Sequence, residues 1–120
     1  PMPDPELDDT FAWLPLADVL AWMQKTDADP RLAVINDARL AACAWIEDQR
    51  SDLQPTEAQL AEDPPLTFPT SRAYQIKQAG KVATERLLAD PATFAELGSA
   101  GVLGDDPSVR ALLGLKIVLG

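Results

Sequence analysis

The chain has 120 residues, 47% of them hydrophobic, which suits one domain with a modest core. Ten basic and nineteen acidic residues give a net charge of −9, so the protein does not grip nucleic acid through its whole surface. There is no histidine, which removes the commonest general base, the commonest metal ligand and any ordinary catalytic triad, and the single cysteine, Cys43, excludes an internal disulfide framework.

Residues 1–10 carry Asp4, Glu6, Asp8 and Asp9 among three prolines and read as a flexible acidic lead, unlike a signal peptide. No apolar run reaches the ~18 residues of a membrane span. A cytosolic origin without a membrane partner is the expectation. Residues 11–26, FAWLPLADVLAWMQKT, predict a helix. Pro15 suits its first turn, and Leu16, Val19, Leu20 and Met23 recur at helical spacing. Trp13 and Trp22 add large apolar area. Core packing is the plain explanation for both, and an intersubunit anchor the sharper one.

The longest helix is predicted over residues 30–53, with Asp29 as its N-cap and Pro30 at its first position. Leu32, Ile35, Ala38, Arg39, Ala42, Trp45 and Ile46 step by three and four. Ala38, Ala41, Ala42 and Ala44 form a small-residue strip that admits a close helix. Cys43 lies in that strip as a small buried hydrophobe, with nothing in the local sequence to activate it.

Residues 54–69 form a loop with four prolines, in which Thr56 and Gln59 fit a capping box around one turn of helix. Glu57, Glu62 and Asp63 lack the glycine-bearing alternation of a calcium loop and read as solvated. Residues 70–89 predict the second long helix, capped by Thr70 or Ser71. Ile76, Gly80, Ala83 and Leu87 line its apolar stripe, with Ala73 and Ala79 beside it. A glycine in mid-helix costs about 1 kcal/mol relative to alanine, and a close helix crossing at Gly80 would explain it. Tyr74, Lys77 and Lys81 share one face. That face is either solvated or pairs electrostatically with the acidic half of a neighbouring copy.

Asp90-Pro91 opens a further capped segment with Phe94 and Leu97 as its apolar residues. Three glycines follow within residues 98–104, at a spacing that fits neither a P-loop nor a dinucleotide fingerprint, so no nucleotide cofactor is expected. Asp105-Asp106-Pro107 caps a last short helix, SVRALLG. The tail, residues 115–120, is apolar and β-prone, and either tucks into the core or docks on another chain. The sum is an all-α fold: a small bundle of two long helices and shorter ones over 11–97, followed by an extended arm over 98–120. On this division, deleting 105–120 leaves the bundle folded.

The order of these pieces resembles the head-to-tail connector, or adaptor, proteins of tailed bacteriophages. The pieces are PLADVLAWM, the alanine-rich helix with its acidic end, AYQIKQAGKVATERLL, FAELGSAGV and DDPSVRALLG. The most telling run is 94–114, with its closing Asp106-Pro107-Ser108-Val109-Arg110-Ala111-Leu112-Leu113-Gly114. The resemblance implies a helical bundle with an arm, assembled as a ring of about twelve copies on the portal protein. The ring would extend the channel for passing genomic DNA and dock the next neck, stopper or tail protein. The implied location is the virion neck, after synthesis in the host bacterial cytoplasm. Candidate contacts to another copy or the portal are Trp13, Trp22, Tyr74, Lys77 and Lys81. Further along the chain, Phe94, Val109, Arg110, Leu112, Leu113, Ile117 and Val118 complete them.

A connector of this kind does no chemistry. The alternative is a small helical DNA-packaging accessory or regulatory binding protein, for which only residues 72–86 are basic enough. A carboxylate enzyme would need two acids in an apolar pocket. Here the acids fall mainly in loops and caps, where helix N-termini account for Asp29, Asp90 and Asp106.

Overall fold

The computed structural model describes residues 10–115; the acidic lead 1–9 and the tail from 116, including Ile117 and Val118, lie outside the described residues. Six α-helices and one 3₁₀ turn make up the described chain: α1 (Leu16–Trp22), α2 (Leu32–Gln49), the 3₁₀ turn (Ser51–Leu53), α3 (Glu57–Leu60), α4 (Ala73–Ala89), α5 (Pro91–Leu103) and α6 (Pro107–Leu113). The fold is an all-α bundle, and α4 is its hub, packing against α1, α2, α5 and α6.

Local chemistry explains most of the helix ends. The Asp90 side chain accepts from the Thr93 N–H at 3.3 Å, and Pro91 follows at the first position of α5. Asp106 Oδ1 accepts from the N–H groups of Ser108 and Val109 at 3.0 and 3.1 Å, and Pro107 opens α6. Gly114, in the left-handed region at φ 74°, ends α6. The capping box of α3 forms as the sequence predicts: Thr56 Oγ1 accepts from Gln59 N–H, and Gln59 Oε1 accepts from Thr56 N–H.

Three starts differ from expectation. Pro15 stands just outside α1, as its extended N-cap, and not in its first turn. Asp29 Oδ1 accepts from Arg31 N–H at 2.8 Å, closing a turn ahead of α2, so the helix begins two residues beyond Pro30. Neither Thr70 nor Ser71 caps α4. Thr70 N–H donates instead to the Leu53 carbonyl, and Arg72, left-handed at φ 56°, precedes the helix. At Asp29 a turn bond takes the carboxylate that would have capped the helix.

Ile76, Ala79, Gly80, Ala83 and Leu87 form the buried stripe of α4, whereas Ala73 is exposed. The close approach at Gly80 comes from the segment before α1 and not from a crossing helix. A Cβ there would lie 2.5 Å from Leu14 Cδ2 and 3.3 Å from Trp13 Cζ3. The core has two lobes. One gathers Ile46, Leu53, Phe68, Leu103, Val109 and Leu113 around the α4 stripe; the other joins Leu14, Leu16, Val19 and Leu20 to Ile35 and Cys43 of α2.

The division into bundle and arm needs correcting. α5 does kink at Gly98, at φ 73° and ψ −169°, where the arm was expected to begin. Beyond the kink, however, Leu103, Val109 and Leu113 are fully buried against α4. Residues 98–115 therefore belong to the bundle, because the apolar spacing of α6 buries one face as the helices before it do. Any extended arm is confined to the undescribed residues from 116.

Candidate interaction surfaces

The seam between α1 and α4 holds most of the expected contact residues. Asp18 and Trp22 are one turn apart on α1, and Lys77 and Lys81 one turn apart on α4, so the two rows meet in register. Lys77 Nζ pairs with Asp18. Lys81 Nζ lies 5.4 Å from the centroid of the Trp22 ring, and Trp22 Nε1 donates to Glu85 Oε1. The lysines thus find partners on their own chain, where either a solvated face or pairing with the acidic half of a neighbour was expected. Half-exposed pairs of this kind contribute ~1 kcal/mol or less each. Trp22 remains 40% exposed along its edge, and Tyr74, at the start of the same face, is 76% exposed.

Trp13 is half-buried between the two core lobes and stacks edge-on against Phe68, with ring centroids 5.3 Å apart. Its Nε1 donates to Glu47 Oε2 at 2.9 Å. At the other end of the chain, Val109 and Leu113 are core residues and offer nothing to a partner. Phe94 and Leu112 are half-buried against the same core, and Arg110 Nη1 donates to the Gly104 carbonyl at 2.8 Å. Of the expected contacts within the described residues, Tyr74 and Trp22 are therefore the most accessible.

Other exposed apolar side chains were not anticipated: Val34 on α2, Leu60 of α3, Leu66 in the following loop, and Leu97, 63% exposed just ahead of the α5 kink. A hydrogen bond from Leu66 N–H to the Gln59 carbonyl at 3.0 Å ties the loop back to α3.

Arg39 is the other residue whose role the sequence concealed. It is fully buried in α2. Its Nη1 donates to the carbonyls of Thr10 and Leu14 at 2.6 and 2.8 Å, and its Nε to Asn36 Oδ1 at 3.0 Å. One guanidinium thereby fastens the segment before α1 onto α2. Cys43 lies nearby, buried as expected. Burial pushes its thiol up to about 12, against the opposing effect of Arg39, so it stays protonated and unreactive at neutral pH.

On the 3₁₀ side, Arg50 grips Asp52 through Nε and Nη2 at 2.9 Å each, and its Nη1 donates to the Leu113 carbonyl. The hydrogen bonds from Arg50 hold the Asp52 carboxyl below its usual range. This clamp is structural, joining the end of α2 to the end of α6. Among the described residues no group of acids and thiol is placed to hold a metal ion, and no helix is long and apolar enough to cross a membrane. No protein-family model, curated protein or solved structure matches the chain.

Proposed function

We propose that this protein is a head-to-tail connector of a tailed bacteriophage. Its copies form a ring on the portal protein, extend the DNA channel and dock the next neck or tail protein, without catalysis or cofactor. The observation that carries this proposal is the run from Asp106 to Gly114. This run is the closing motif on which the resemblance rests, and it folds as a helix capped by Asp106, opened by Pro107 and closed by Gly114, packed on α4 and not carried on an arm.

Two physical features support the proposal. A net charge of −9 suits a protein beside DNA that must slide and not stick, because acidic walls repel phosphate. The exposed apolar side chains Tyr74, Leu97, Leu60 and Val34 suit a chain that buries more surface on assembly. The DNA-binding alternative loses ground at α4: Lys77 and Arg86 are paired with Asp18 and Asp106, and Lys81 covers Trp22, which leaves few free cations for phosphates.

The test is electron microscopy of the protein mixed with a candidate portal ring. The proposal predicts an added annulus on one face of the portal, coaxial with its channel. Portal particles left bare at saturating protein would overturn it.

A further inference from the structure

Beside the two core lobes lies an open cleft of about 420 Å³. Phe11, Trp13 and Phe68 supply three aromatic side chains, Thr67 lies at the edge, and Glu47 supplies a carboxylate. Phe11 is held in the left-handed region at φ 58°, which is costly for a bulky residue. Trp13 and Phe68 fix each other edge to face. Glu47 is oriented by two donors, Trp13 Nε1 on Oε2 at 2.9 Å and Gln54 Nε2 on Oε1 at 2.7 Å. Each of its oxygens keeps a second acceptor position. Among the described residues no cation pairs with Glu47. Aromatic faces next to a carboxylate make a receptor for an organic cation with apolar flanks.

We infer that this cleft receives the C-terminal tail of a second copy of the chain, with Lys116 against Glu47 and the aromatic rings. Two segments lie outside the described residues, and charge decides between them. Residues 1–9 carry four acids and no base, so Glu47 repels them. Residues 116–120 begin with a lysine followed by Ile117, Val118 and Leu119, which pairs one cation with an apolar run. The tail leaves the bundle at Leu115, which packs against the α4 lobe of the core. Lys116 follows Leu115 directly, so its ammonium reaches out only by one residue and its own side chain, and the neighbour's cleft must lie against this end of the bundle, where Ile117, Val118 and Leu119 meet its aromatic walls. Each copy then offers one tail and one cleft, the heterologous arrangement that closes into a ring. The inference rests on the self-association proposed above and assigns its contact.

Zero-length carbodiimide coupling of the full chain tests it, because that reagent joins a lysine to a carboxylate only at contact. Protein is prepared as an equal mixture of ¹⁴N and ¹⁵N chains, and linked peptides are read by mass spectrometry. The expected product is a Lys116–Glu47 link in mixed-isotope pairs, lost in Glu47→Gln and in Lys116→Gln and reduced in Phe11→Leu. Links in same-isotope pairs alone would place the tail in its own cleft and overturn the second-copy assignment. Coupling of Lys116 to other carboxylates, or to none, would overturn the cleft itself. Rings that still form on the portal without the link would remove this contact and leave the connector proposal standing.

Discussion

Cutting the chain after Gly104 removes α6 and tests whether the C-terminal segment is an arm or part of the core. Val109 and Leu113 are both fully buried, and burial of such side chains is worth ~1.5–3 kcal/mol each, so the cut removes about 3–6 kcal/mol. It also removes the Leu113 carbonyl that accepts from Arg50, and uncovers Leu87 and Leu103. The half-exposed Arg86–Asp106 pair adds little, ~1 kcal/mol at most. Whole domains of this size are stable by only ~5–15 kcal/mol. At about 4 °C per kcal/mol, the midpoint of thermal unfolding should fall by roughly 12 °C or more, with a broadened transition. Circular dichroism at 222 nm reads this directly. The point variant Leu113→Ala, expected to cost ~2–5 kcal/mol, separates lost packing from lost chain. A truncated chain that melts cooperatively within about 4 °C of the full-length protein would refute the reasoning and restore the detached arm.

Further outcomes follow from the packing. Arg39→Ala should cost about 2–5 kcal/mol in urea unfolding, because it removes the buried donor to the Thr10 and Leu14 carbonyls, and Arg39→Lys should recover less than half, since an ammonium cannot span both positions and Asn36. Gly80→Val should destabilise by ~1–3 kcal/mol and perturb the near-ultraviolet signal of Trp13, since its Cβ would meet Leu14 at 2.5 Å. Cys43 should resist aromatic disulfide reagents at pH 8 until the protein unfolds. The Cys43 thiol titrates at about 12 when folded against 9.0 ordinarily, so the unfolded state releases the proton first. This residue's contribution is therefore intact below pH 9 and is lost as pH rises towards 12, a decline in urea midpoint that Cys43→Ala should remove.

The fold was legible where one residue type answers one local need. Ile76, Gly80, Ala83 and Leu87 had to face a core because nothing else satisfies that period, and Thr56 with Gln59, Asp90-Pro91 and Asp106-Pro107 announced their helix starts. What stayed hidden depends on distant partners. Arg39 is buried only because two carbonyls 25 and 29 residues away turn towards it. Lys77 and Lys81 spend their charge on α1 because its residues meet them in register, a match between residues 59 apart in the chain that periodicity within either helix cannot reveal. The arm was misjudged because a short capped helix looks self-contained in sequence, while Val109 and Leu113 find their burial on α4. The interaction surface was legible only in part. Tyr74 is accessible, and Trp22 is 40% exposed where core packing was the plain reading, while the exposure of Leu60 and Leu97 depends on where the bundle runs out of neighbours.

The central claim is that this chain is an assembly component and acts by counting itself onto a portal. Native mass spectrometry of the protein, alone and with a candidate portal ring, tests it most directly. The account predicts a closed ring, or a fixed number of copies per portal, at near-physiological salt. A monomer that ignores the portal and instead binds DNA at moderate salt would contradict it.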